Sequence, residues 1–312
     1  MKKKRLLGVL LTAVVAVGMF AGCGKAGEST ATNAETITVT DRNGEVEVPK
    51  NPEKVVVLDY GSLDILDEIG VDNVVGVPKS GLPEYLGEYK DEKYTDIGGV
   101  KEFNFETINE LSPDLIIIEG RQIDSLEELS KIAPTIYLGS VGNDYLNSVK
   151  SNAKVLGQVF DKEKEVEEKL ANIDVKVNEL KGKIEENNLN ALATMVSDGS
   201  MSVYGAGSRF NILFNELGFT PADENIEVSN HGQSISYEYL VEKNPNYLFV
   251  IDKGAITGSG NPAKETVENE LVKTTDAYTN GNIVYVDAAA WYVGGAGFKA
   301  LDKMLTDVEN AL

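Results

Sequence analysis

Two short strings, each following an apolar run, are where this sequence could handle a negatively charged partner. Glu119-Gly120-Arg121 follows Leu115 to Ile118, and Asp252-Lys253-Gly254 follows Tyr247 to Ile251. Residues just beyond the carboxyl ends of strands in open α/β sheets line the ligand crevice, so Arg121 and Lys253 would meet across a cleft. Arg209 is a third cation, set in Tyr204-Gly205-Ala206-Gly207-Ser208-Arg209-Phe210, whose glycines reach backbone shapes closed to other residues. Singly, each is an ordinary solvated charge. In a chain with 29 Lys and Arg against 50 Asp and Glu, three of them at one mouth would form a locally basic pocket for an anion. The sole histidine, His231, lies in Ser229-Asn230-His231-Gly232-Gln233-Ser234, where it could be a surface residue or a metal ligand. Trp291-Tyr292-Val293-Gly294-Gly295 holds the only tryptophan; its aromatics suit a core as well as a site.

Ser208, His231 and Asp252 are also the residue types of a hydrolytic triad. Against that reading, Arg209 and Phe210 follow Ser208, so the Gly-x-Ser-x-Gly elbow is missing. The sequence has no phosphate loop and no Gly-x-Gly-x-x-Gly after its first buried strand, which leaves nucleotide-driven chemistry unsupported. One histidine and one cysteine cannot build a nitrogen- or sulfur-rich site for a carrier of free zinc.

Positioning such a cleft requires strands alternating with helices. Strands are expected at Lys54 to Leu58, Val74 to Val77, Leu115 to Glu119, Thr135 to Leu138, Leu192 to Val196, Tyr247 to Ile251 and Ile283 to Val286, with helical patterns between most of them. That order predicts parallel α/β sheets covered by helices. Ahead of them, Ile37 to Thr40 and Val46 to Val48 flank an Asn43-Gly44 pair, a hairpin signal. Two proline-free helices are expected at Asp144 to Gln158 and Lys162 to Glu186. The second is long enough to join two lobes and to resist bending between them.

The halves echo each other. Phe105-Glu106-Thr107-Ile108-Asn109-Glu110-Leu111-Ser112-Pro113-Asp114-Leu115 aligns without a gap to Tyr237-Glu238-Tyr239-Leu240-Val241-Glu242-Lys243-Asn244-Pro245-Asn246-Tyr247. In each copy a short helix is stopped by proline and feeds a buried strand, which predicts two lobes of like topology. Glu106 and Glu238 stand at matching positions, where a carboxylate also suits a helix N-terminus.

The formal net charge of −21 disfavours nucleic acid or an anionic membrane surface as a broad electrostatic partner. Lys2, Lys3, Lys4 and Arg5 precede an apolar run from Leu6 to Phe20, the pattern of an export signal. Phe20-Ala21-Gly22-Cys23 resembles the lipobox of bacterial lipoproteins, which would make Cys23 the acylated first residue of the mature chain. With no second cysteine there is no internal disulfide. The expected organisation is a signal peptide over 1–22, a small and polar flexible tether over 23–36, an N-terminal α/β lobe over 37–160, an inter-lobe helix over 161–189 and a C-terminal α/β lobe over 190–312.

Tyr204 to Phe210, His231-Gly232-Gln233-Ser234-Ile235-Ser236 and the Trp291-Tyr292 loop resemble the signature regions of ferric-catecholate siderophore-binding proteins of ABC importers, petrobactin-binding lipoproteins among them. The resemblance runs from about Ile37 to the C-terminus. It implies two Rossmann-like lobes joined by a long backbone helix, and an extracytoplasmic, lipid-anchored monomer that binds rather than catalyses. The implied ligand is a ferric siderophore, with no intrinsic cofactor. His231 and Tyr292 would coordinate iron, while Arg121, Arg209 and Lys253 surround the catecholate oxygens beside Trp291. Lys253 stands where relatives often carry arginine, which keeps the charge and loses the planar fork. Two catecholates supply four oxygens to hard ferric iron, leaving two octahedral positions for phenolate and imidazole. Glu106 and Glu238 would dock on a permease dimer served by its ATPase. A haem carrier of the same two-lobed plan is the alternative, followed by a siderophore esterase.

Overall fold

Two open sheets organise the structure, a computed structural model that describes residues 35–140, 144–258 and 260–312. The expected signal segment, Cys23 and nearly all of the tether lie outside the described residues. β1 (Thr36–Asp41) and β2 (Gly44–Pro49) pair antiparallel. Their reversal is made by Arg42 and Asn43 rather than by the Asn-Gly pair, because the Asp41 carboxylate accepts the amides of Asn43 at 2.7 Å and Gly44 at 3.1 Å.

The first sheet comprises β3 (Val55–Val57), β4 (Val74–Val77), β5 (Thr95–Asp96), β6 (Leu115–Ile118) and β7 (Thr135–Tyr137), ordered β5-β4-β3-β6-β7 and parallel throughout. Every residue of β3 and β6 is buried, as expected for strands covered on both faces. The helices of this half are α1 (Tyr60–Glu68), α2 (Phe105–Leu111) and the single turn α3 (Leu126–Leu129). Two longer helices follow, α4 (Tyr145–Val159) and α5 (Glu163–Glu186). Val166, Leu170, Ile173, Val177, Leu180 and Ile184 form the buried stripe of α5 at the spacing of one helix face.

The second sheet has β8 (Asn190–Ser197), β9 (Ser200–Tyr204), β10 (Thr220–Pro221), β11 (Gln233–Ile235), β12 (Tyr247–Asp252) and β13 (Ile283–Tyr285). Its main order is β11-β9-β8-β12-β13, with β10 beside β8. Contrary to the all-parallel expectation, β9 is antiparallel to β8 and to β11. The cause is Asp198-Gly199, both left-handed at φ +49° and +74°, a two-residue turn that suits adjacent strands. Around this sheet lie α6 (Tyr237–Lys243), the single turns α7 (Gly254–Thr257), α8 (Ala263–Val267) and α9 (Asp276–Thr279), and the terminal α10 (Phe298–Ala311).

The echoed segments fall in different sheets and match in three dimensions. α2 and α6 both end on a left-handed residue, Ser112 and Asn244. After the prolines, Asp114 accepts the amides of Glu53 and Lys54 at the entry to β3. Asn246 and Asn190 exchange amide-to-side-chain bonds at the entry to β8. Each echo therefore ties its strand to the neighbouring central strand of its own lobe.

One hydrophobic core runs unbroken from the first sheet through α4, α5 and α10 to the second. α10 packs on α1 and α5, and its N-terminus is capped from the other lobe: the buried Asp64 carboxylate accepts the amides of Lys299 and Ala300, each at 2.9 Å. Lys299 also pairs with Asp67.

Candidate functional site

The residues after β6 and β7, the β9–β10 and β10–β11 connections and the segment before α10 face one another across a cavity of about 490 Å³. Arg121 enters from the first lobe on the turn that follows β6. Its guanidinium pairs with Glu119 and reaches the carbonyl oxygen of Tyr292 at 3.4 Å. Arg209 enters from the second lobe and donates to the same oxygen at 2.8 Å, while its guanidinium carbon lies 4.6 Å from the centre of the Tyr292 ring. Lys253 flanks that ring at 6.0 Å, within cation–π range, but does not line the cavity.

The Tyr292 carbonyl is free to receive both arginines because of the local backbone. Ala289–Val293 forms a π-helical turn, in which the Gly294 amide bonds back to Ala289 at 2.8 Å; such turns recur at functional sites. Gly295 follows at φ +61°. Its carbonyl accepts the Tyr145 hydroxyl at 2.7 Å, and a Cβ there would lie 3.1 Å from Asp59 Oδ1. Trp291 borders the cavity, yet its indole is 4% exposed. It donates to Asp307 at 2.8 Å and stacks on Phe249, so it anchors the turn instead of offering its face to a ligand.

His231 stands apart. It is exposed and does not line the cavity, although Val228, Ser229 and Asn230 just before it do. Ser208, His231 and Asp252 make no hydrogen bonds to one another among the described residues; the Asp252 carboxylate is occupied by the amides of Ala255 and Ala263. Glu106 and Glu238 are exposed in the first turns of α2 and α6, and the Glu238 carboxyl is held below its usual range by its own amide and the Ser236 side chain.

Sequence reasoning missed the acidic side of the site. Glu119 lines the cavity, and behind it the buried Asp59 carboxylate caps α1 by accepting the Gly61 and Ser62 amides. Burial, then repulsion from Asp59, pushes the Glu119 carboxyl up against the pull of Arg121. Burial also draws the Arg209 guanidinium down. Adjacency of Glu119 to Arg121 after a buried strand was the available signal. A larger groove, about 690 Å³ between α5 and α10, lies away from the strand ends and mixes lysines with carboxylates; the convergent cations mark the smaller cavity as the candidate.

Comparison with known proteins gives the family of the chain. The family model described as periplasmic binding protein matches residues 55–290. The petrobactin-binding protein YclQ of Bacillus subtilis is 46% identical over 316 residues, covering 100% of this chain and 99% of the relative. Its crystal structure aligns with a TM-score of 0.86 over 89% of this chain and 98% of that one. The ferric-anguibactin-binding protein FatB of Vibrio anguillarum is 34% identical, covering 88% of this chain and 87% of the relative. The catecholate-siderophore binding protein VctP of Vibrio cholerae aligns with a TM-score of 0.84 at 37% identity, over 88% of this chain and 100% of that one.

Proposed function

This chain belongs to the periplasmic binding protein family, and from that premise we propose that it captures a ferric catecholate-type siderophore, petrobactin or a bis-catecholate, and delivers it to an ABC permease for iron uptake. The observation that carries the reading is the convergence of Arg121 and Arg209 from opposite lobes on one carbonyl beside the Tyr292 ring. A guanidinium already desolvated and fixed forms strong charge-assisted bonds to an entering catecholate oxygen. Lys253 adds charge at the rim. Where the siderophore leaves iron incompletely coordinated, Tyr292 and His231 complete the shell, His231 swinging in with the 228–231 loop. The protein acts by binding alone. Cys23 carries the lipid that holds it outside the cytoplasmic membrane, and Glu106 and Glu238 seat the monomer on the permease dimer.

Titration with a panel of iron-loaded siderophores tests the ligand. Trp291 at the cavity edge is the only tryptophan, so quenching of its fluorescence reports occupancy. Tight binding of ferric catecholates is expected. Failure to bind any catecholate overturns the proposal, and a Soret band on adding haem would move the ligand to haem.

A further inference from the structure

We propose, resting on the siderophore reading above, that Glu119 sets the charge class of the ligand, favouring ferric complexes of low negative charge over trianionic tris-catecholates. A ferric bis-catecholate carries a single net negative charge and a tris-catecholate three. Nothing about two or three cations in a cleft would by itself prefer the less charged complex; the attraction grows with each ligand charge. Glu119 works against that trend from inside the site. Its side chain is 12% exposed and paired to Arg121, so half of the arginine pair meets a ligand already neutralised.

The carboxylate is built into the cavity wall. The Glu119 amide is held by the Gln122 side chain at 2.9 Å, and Gln122 is itself buried and bonded to the carbonyl of Leu58 at 3.2 Å. Gly139, at the end of the next strand, packs against it, its would-be Cβ 3.6 Å from that of Glu119. The turn is thus rigid, and the carboxylate remains at the cavity wall when a ligand arrives. Behind it the buried Asp59 is fixed by the Gly61 and Ser62 amides; burial pushes its carboxyl up, so Glu119, paired to Arg121, is the negative centre that faces the ligand. Against Arg121, Arg209 and the rim Lys253, the Glu119 carboxylate paired to Arg121 lowers the net positive charge that a trianion meets.

The test compares a ferric bis-catecholate with a ferric tris-catecholate on the full mature protein by tryptophan quenching. Glu119→Gln keeps the shape and an acceptor for Arg121 while removing the charge. It is expected to improve tris-catecholate binding about tenfold per extra ligand charge, so on the order of a hundredfold relative to the bis-catecholate. Glu119→Asp, which keeps the charge, should hold the wild-type preference, and so should Glu270→Gln, which removes an exposed charge elsewhere. Equal changes for both complexes in Glu119→Gln would mean that Glu119 only aims Arg121, and would overturn the proposal. Should Glu119→Gln fail to fold by circular dichroism, Glu119→Asp decides alone: a preference that tracks side-chain length at constant charge overturns it. Wild-type protein that binds neither complex would instead defeat the siderophore reading itself.

Discussion

Arg209 and Trp291 do opposite things at neighbouring places. Arg209 is a cation removed from water before any ligand is present, with the Tyr292 carbonyl and ring as its partners. A ligand oxygen would replace the lost hydration, so Arg209→Ala is expected to weaken ferric-catecholate binding ~10- to 100-fold. Arg209→Lys should restore only part of this, because the planar fork that spans ligand and carbonyl is gone; fluorescence titration of both variants checks the order. Trp291, by contrast, holds the Tyr292 turn through Asp307, whose carboxylate also takes the Asp287 amide. Trp291→Phe leaves that half-buried carboxylate one donor short and should cost about 1–3 kcal/mol in urea unfolding followed by circular dichroism. An unchanged midpoint would mean that the indole bond is not sustaining the turn.

Helix ends carry the next level of organisation. Burial raises Asp64, the cap of α10, to about 7, against the pull of the Ala300 and Lys299 amides. An unfolded aspartate titrates near ~4, so in the native state Asp64 holds its proton more tightly. Its contribution to stability is therefore fully present below about pH 4 and is lost as pH rises to about 7. The stability of the wild type relative to Asp64→Asn should fall across that window in urea melts at pH 4.5 and 7.5; a rise would show that the α10 N-terminus wins and holds the anion. At the two echoed caps the backbone is left-handed, φ +49° at Ser112 and +39° at Asn244. Ser112→Gly should stabilise by up to about 1 kcal/mol, because glycine has no Cβ penalty in the left-handed region, less its own entropy cost. Asn244→Gly should gain less, since asparagine tolerates this region and its side chain caps α9 through the Asp276 amide.

Across the whole molecule, the unbroken core through α4, α5 and α10 couples the lobes, and only a small opening of the cleft on ligand release is expected. On the proposed function, a permease would recognise such a rigid body through surface charge, and the exposed Glu106 and Glu238 form a pseudo-symmetric pair of carboxylates at the starts of α2 and α6. Charges at an exposed rim govern encounter and orientation more than affinity. Replacing both by Ala should leave siderophore affinity intact and abolish iron uptake through the cognate permease. Uptake that survives at normal protein levels would reduce these residues to helix caps.

Alternation of apolar runs with helical stripes, the ends of α5, and the echo ending in Ser112-Pro113 and Asn244-Pro245 were all legible in the sequence, because burial periodicity and chain-breaking residues act over a few positions. The Asp198-Gly199 turn is equally local, and it is what makes β9 antiparallel to β8. The three cations could be nominated from their places after strands, but their company could not. Arg121 meets Tyr292 across 171 positions of chain, and Asp64 caps α10 across 235. Which carboxylates stand among the cations, that Trp291 is committed to the core and that His231 remains outside the cavity are all settled by packing between distant segments. No local pattern encodes the dielectric or the partners that such packing creates.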